Sequence, residues 1–197
     1  MFRMPDGVVK PEQWPSAALS FLQSRGITSR QMRDWDIRVA LSGRLAGRVI
    51  LPKHRADGVL VGYTARAFTR AEEERKRYLE PTSDEQPDRS VFYGERAWSE
   101  RQHGGVVVVT EGAFNALVFD RTTPYAVAAL SGSMASDSVL KLVHFSKVYI
   151  ATDNDDAGNR AAEELRGMLG RYTQTFRVQW PQGVDAVDYV RAHADGD

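Results

Sequence analysis

The chain has 197 residues, 42% of them hydrophobic, with 26 Lys and Arg balancing 26 Asp and Glu, a composition ordinary for a globular protein of one large domain or two small ones. It contains no cysteine, which excludes disulfides and any cysteine-built zinc site within the chain, and its 4 histidines, His54, His103, His144 and His193, fall at no ligand spacing. No apolar run approaches the length of a membrane span and the opening MFRMPDG has no signal-peptide core, so a cytoplasmic location and no membrane partner are expected.

In chain order, SAALSFLQSRGITSRQMRDW over 16–35 predicts two short helices. Leu19, Phe21 and Leu22 supply the apolar face of the first, Gly26 ends it, and Thr28 or Ser29 caps the second. Strands follow at 48–51 and 59–63, separated by the turn-forming Ala56-Asp57-Gly58, a hairpin signal. Residues 71–89 are charged, carry Pro81 and Pro87, and read as a loop interrupted by RYLEP. A helix over 95–101 leads to His103-Gly104-Gly105, the expected domain boundary, giving domains 1–103 and 104–197. The second half alternates strands at 106–110, 125–130, 147–152 and 175–179 with helices at 113–119, 136–143, 157–169 and 186–192. That alternation predicts βαβ units and a mostly parallel sheet flanked by helices, preceded by a smaller α+β basic subdomain.

The charge is unevenly spread. Residues 1–103 carry 18 Lys and Arg against 14 Asp and Glu, and residues 104–197 carry 8 against 12. Between Arg38 and Arg66 stand Arg38, Arg44, Arg48, Lys53, Arg55 and Arg66 against Asp57 alone. Cations on a hairpin edge suit a nucleic-acid backbone, and also an ordinary solvated face.

The acidic half has a sharper pattern. VVVVTEG and VYIATDNDD are apolar, β-branched runs that end abruptly in carboxylates. Such runs read as parallel strands buried on both faces, and in open α/β sheets ligands bind where these strands end. Glu111 leaves one strand and Asp153 and Asp155 leave another, so the three are expected to converge on one cation. Mg²⁺ suits them, taking hard oxygen ligands from a few carboxylates plus phosphates and water. Asp155 or Asp156 is equally placed to cap the helix that starts near Ala157. Ser131-Gly132-Ser133 ends another strand, reading as an N-cap or as hydroxyls and N–H groups beside the metal.

The pairing of EGAFNAL with TDNDDAG resembles the TOPRIM domain shared by bacterial-type primases, topoisomerases and some nucleases. FLQSRGITSRQMRDWDIRVA, GRVILPKHRADGVLVGYTARAF, RYLEP, VFYGERAW and PQGVDAVDYV extend the resemblance, in family order, to the RNA polymerase domain of bacterial and phage DnaG-type primases. The resemblance implies Glu111, Asp153 and Asp155 as ligands of Mg²⁺ or Mn²⁺, with Asp185 a further acid nearby. Arg48, Lys53, Arg66, Lys76 and Arg77 are implied to contact template backbone or incoming triphosphate. Three departures stand out. Asn115 replaces the family's Asp, Val187 the second acid of its Asp-Pro-Asp, and Glu80 its usual Asn.

The implied activity is synthesis of short RNA primers on single-stranded DNA from ribonucleoside triphosphates, a DNA-directed nucleotidyl transfer in DNA replication. The family's zinc-binding and helicase-docking regions have no counterpart in these residues. A separate zinc-binding component and a replicative helicase are therefore expected partners, whether the sequence is an excised core or a compact phage-type primase. The alternatives are a TOPRIM nuclease, or a catalytically weak module that binds nucleic acid or a replisome partner.

Overall fold

The computed structural model describes residues 2–86, 88–100, 105–130, 136–181, 184, 188, 189, 192 and 193. They form two compact units, Met1–Asp88 and Arg89–Asp197.

In the first unit, β1 (Val8–Val9), β2 (Arg38–Ala40), β3 (Arg48–His54), β4 (Leu60–Ala67) and β5 (Tyr78–Leu79) make one antiparallel sheet in sequence order. The β3–β4 hairpin is longer than the sequence pattern indicated and runs through Pro52. β2 pairs with β3 only as far as Ile50, so Pro52 lies where β3 has a single neighbour and its missing donor disrupts little. The turn closes on Gly58 at φ +81° and on Asp57, which accepts from the Arg55 guanidinium and from the Val59 N–H. Ala40, Leu45, Ile50, Tyr63 and Ala65 form the sheet's core.

Helices α1 (Ser16–Ser24) and α2 (Ser29–Asp34) stand where expected. Thr28 is the cap: its hydroxyl accepts from Gln31 N–H while the Gln31 side chain reaches back to Thr28 N–H. The apolar face of α1 differs from the one read in the sequence. Ala18 and Leu22, one turn apart, are buried, while Leu19 is exposed and Phe21 half-buried.

Residues 71–89 are more ordered than their composition suggested. Thr69 caps α3 (Arg70–Arg75) by accepting from Glu72 N–H, and RYLEP supplies β5 as a fifth strand. Pairs at helical spacing, Arg70–Glu74 and Glu73–Arg77, bind the charges to one another, which a tally of composition does not register.

In the second unit, β6 (Val106–Thr110), β7 (Ala126–Ala129), β8 (Lys147–Ile150) and β9 (Gln174–Arg177) form a parallel sheet in the order β7-β6-β8-β9. Helix α4 (Ala113–Thr122) packs on β6 and β7. Val139 of α5 (Ser136–Lys141) and Ala162, Leu165 and Leu169 of α6 (Asp156–Leu169) share a core with Val107, Val109, Val148 and Ile150. All of β6 is buried, as a strand covered on both faces must be. The helix expected at 186–192 lies largely outside the described residues.

The unit boundary precedes the 103/104 division read from the sequence, because residues 92–98 pack into the second core. Phe92 and Trp98 enter it, Trp98 Nε1 donates to Val127 O, and Tyr93 bridges Ala129 at the β7 edge. The helix expected over 95–101 is a single 3-10 turn, Glu95–Ala97. Glu95 is held by Phe92 N–H and by Lys141 at 2.8 Å. Gly94 sits at φ +116°, and a Cβ there would collide with Val127 O. Gly94→Ala should therefore lower stability by about 2–4 kcal/mol, measured by urea unfolding.

Candidate functional site

The ends of β6 and β8 carry the carboxylates. Glu111 follows β6 directly, and its Oε1 accepts from the Asp153 N–H at 3.1 Å. Asp153 follows the end of β8, behind Thr152, whose buried hydroxyl donates to Gly158 O at 2.8 Å. Asp155 is the N-cap of α6, its Oδ1 accepting from Gly158 N–H at 2.7 Å. Of the two residues able to cap, Asp155 does so and Asp156 begins the helix.

Gly158 lets these pieces meet. A Cβ on it would fall well inside contact distance of Asp153 O and Glu111 Oε1. The start of α6 is thus seated against both strand ends, leaving a cradle that any side chain would fill. Its donors are hard carboxylate and carbonyl oxygens, which fit Mg²⁺ or Mn²⁺. The structure brings Glu111 to Asp153 while Asp155 commits one oxygen to the helix. Among the described residues, no three His, Cys, Asp or Glu side chains close on one cation position. Asn115 lies half-buried on α4. Asp185, Val187 and Ser131-Gly132-Ser133 lie outside the described residues.

Two residues at this edge were not singled out in the sequence. Arg177, the last residue of β9, donates through Nη1 to Ile150 O and Thr152 O and through Nη2 to Asp153 O and Asn159 Oδ1. Burial pulls its guanidinium below the ordinary value, while the nearby carboxylates of Glu111, Asp153 and Glu163 push it back up. Trp180 Nε1 also donates to Thr152 O, and Trp180 O accepts from Asn154 Nδ2. The available signal was an arginine closing an otherwise apolar and polar alternation, TQTFRVQW, at the ligand-binding edge of a parallel sheet.

The cations of the first unit divide by burial. Arg48, Lys53 and Arg66 are 1%, 3% and 2% exposed, so they form neither an open phosphate track nor a solvated face. Arg48 donates to Lys76 O at 2.7 Å and to Glu72 Oε2 at 3.3 Å. Lys53 pairs with Glu80 at 3.0 Å, and Glu80 also accepts from Thr64 Oγ1. This explains a carboxylate at position 80, since a buried ammonium needs an anionic partner. Arg66 pairs with Glu73 at 2.8 Å and lies over the rings of Phe21 and Tyr78.

Lys76 and Arg77 are exposed. Arg77 shares Glu73 with Arg66, at 3.2 Å. Arg25, a residue the sequence reading passed over, stacks on Phe21, and burial together with the neighbouring Arg66 charge holds its guanidinium below its ordinary value. Arg25 and Arg77 thus add positive charge around the buried Arg66 and its partner Glu73, beside the exposed ring of Tyr78.

Residues 108–190 match the Toprim-like family. The chain is 36% identical over 121 residues to the DNA primase of Thermotoga maritima, covering 60% of this chain and 21% of that one. It is 25% identical over 202 residues to the DNA primase of Synechococcus elongatus, covering 95% of this chain and 29% of that one. The chain thus spans less than a third of either relative. Among solved structures it resembles the zinc-binding and RNA polymerase domains of Aquifex aeolicus primase, with TM-score 0.82, 21% identity, and coverage of 94% of this chain and 54% of that one. It also resembles the DnaG primase catalytic domain bound to single-stranded DNA, with TM-score 0.77, 20% identity, and coverage of 93% and 70%. The fold is that of the DnaG-type primase catalytic core, an antiparallel unit followed by a Toprim-like domain. The sequence and structural likenesses together support a DnaG-type primase core.

Gly158 and Gly167 give opposite expectations on one helix. Gly167→Ala has open space and should stabilise by up to about 1 kcal/mol. Gly158→Ala should instead destabilise by about 1–3 kcal/mol, because the methyl group meets backbone and carboxylate. Denaturant midpoints of the two variants check both signs.

Proposed function

We propose that this chain is the catalytic core of a DNA primase. It makes short RNA primers on single-stranded DNA from ribonucleoside triphosphates by metal-dependent nucleotidyl transfer. The observation that carries this reading is the approach of Glu111 to Asp153 across Gly158 at the carboxyl edge of a Toprim-like sheet. The likeness to bacterial DNA primases supports primer synthesis over other Toprim chemistries.

Glu111 and Asp153 would hold Mg²⁺ or Mn²⁺, joined by the Asp155 carboxylate, with Asp185 a further catalytic acid that the family resemblance implies. Bound there, the ion would polarise phosphoryl oxygens and offset charge developing on the attacking and leaving oxygens. The primer 3′-hydroxyl forms a bond to the α-phosphorus and the bond to pyrophosphate breaks. The protein's part is largely alignment. Asp155 couples the start of α6 to the site through its cap, so the carboxylates keep their spacing. Lys76 and Arg77 would contact template or triphosphate oxygens, and Tyr78 offers a face for stacking a base. Arg48, Lys53 and Arg66 serve this surface indirectly, Arg48 by pinning the backbone that bears Lys76 and Arg77. A replicative helicase and a separate zinc-binding component are proposed partners. Among the described residues no helix is long and apolar enough to cross a membrane.

Incubation with single-stranded DNA, labelled ribonucleotides and Mg²⁺ or Mn²⁺ tests the reading: short RNA is expected, and DNA fragments in its place would mean a nuclease. Asp153→Ala and Asp155→Ala should each abolish synthesis. In metal-free buffer they should part, with Asp153→Ala near the parent and Asp155→Ala about 1 kcal/mol less stable through loss of the helix cap.

For binding, the pair Lys76→Ala and Arg77→Ala should leave stability within about 0.5 kcal/mol of the parent. It should weaken single-stranded DNA binding uniformly across sequences and flatten the log–log salt dependence by about 1.4 units for the two lost contacts. Arg48→Met should instead unfold more readily, by on the order of 3 kcal/mol. Fluorescence anisotropy across a salt series and urea melts measure both.

A further inference from the structure

Three main-chain carbonyls at and just beyond the end of β8 accept from one side chain. Arg177 Nη1 reaches Ile150 O at 3.2 Å and Thr152 O at 2.8 Å, and Nη2 reaches Asp153 O at 2.9 Å. The same Nη2 reaches Asn159 Oδ1 at 3.2 Å, in the first turn of α6 and next to Gly158. One guanidinium therefore ties β9 to the turn that presents Asp153 and to the helix seated against Glu111. Arginine suits this task because its donors are spread across a rigid planar fork, whereas lysine offers three donors from one point.

A neutral donor would have satisfied some of these carbonyls. The arginine adds a full positive charge 2.9 Å from the Asp153 carbonyl, and the N–H of that same residue is bonded to Glu111 Oε1 at 3.1 Å. The position is only half exposed, where water screens charge less than in bulk. Carboxylates that share a cation site repel each other when no cation lies between them. A fixed guanidinium relieves that repulsion permanently and competes with any cation that arrives.

We propose that Arg177 is a positioning residue of the site and its resident counter-charge: it fixes the turn that presents Asp153 and lowers the affinity of Glu111 and Asp153 for a divalent cation. The assignment rests on the reading of those two carboxylates as metal ligands.

Two substitutions separate tether from charge. Arg177→Lys keeps the charge but cannot span the four acceptors, and Arg177→Gln loses both the charge and most of the tether. Mn²⁺ binding to the full chain, followed by electron paramagnetic resonance of free Mn²⁺, is measured at low and high ionic strength beside the metal-free melting temperature. Both variants should melt below the parent. Arg177→Gln should bind Mn²⁺ about threefold or more tighter than Arg177→Lys at low ionic strength, with the gap closing in high salt. A purely structural arginine would give the two variants the same Mn²⁺ affinity, and that result overturns the counter-charge. Melting temperatures equal to the parent's overturn the tether. A parent chain that takes up no Mn²⁺ overturns the reading of Glu111 and Asp153 as ligands, and the role of Arg177 falls with it.

Discussion

The site depends on a missing side chain. Glu111 Oε1 meets Asp153 N–H because the first turn of α6 carries Gly158 at the point of contact, where a methyl group would strike both the carboxylate and the Asp153 carbonyl. Everything else at this edge secures that approach. Thr152 ties the strand end to Gly158 O, Asp155 ties the helix start to itself, and Arg177 and Trp180 hold the carbonyls behind Asp153. The covered parallel sheet fixes where the two strands end, and these short contacts fix what their ends do.

The first unit uses charge differently. Its least exposed cations, Arg48, Lys53 and Arg66, each face a carboxylate, so their positive charge is largely consumed within the fold. Removing one would strand its partner, and this is a structural obligation more than a binding function. The exposed residues Lys76 and Arg77 lie on the segment that Arg48 holds through its backbone carbonyls. Buried cations thereby shape a segment whose exposed neighbours remain able to meet phosphate.

Much of this was legible in the chain. Runs such as VVVVT and VYI are apolar at every position, and only a strand covered on both faces uses them, so the parallel sheet and its helices followed directly. The carboxylates at the strand ends, Glu111 and Asp153, were equally plain. The apolar face of α1 was misread because Leu19 and Phe21 are apolar by composition, yet only Ala18 and Leu22 fall on the turn-to-turn line that meets the core. Residues 71–89 read as loop because their order comes from Thr69, from paired charges and from Arg48, a contact across 28 residues of sequence.

The sequence by itself determined the class of fold, the β3–β4 hairpin and the strands of the second unit in their order along the chain, and the edge at which acidic residues gather, since periodicity and strand length are local properties. The tertiary structure decided which cations are buried in ion pairs and which are left exposed. It also decided that Asp155 serves as a helix cap, and that Arg177, twenty-four residues beyond Asp153, closes on the same turn. These outcomes hang on distances between residues remote in the chain, which no local pattern encodes.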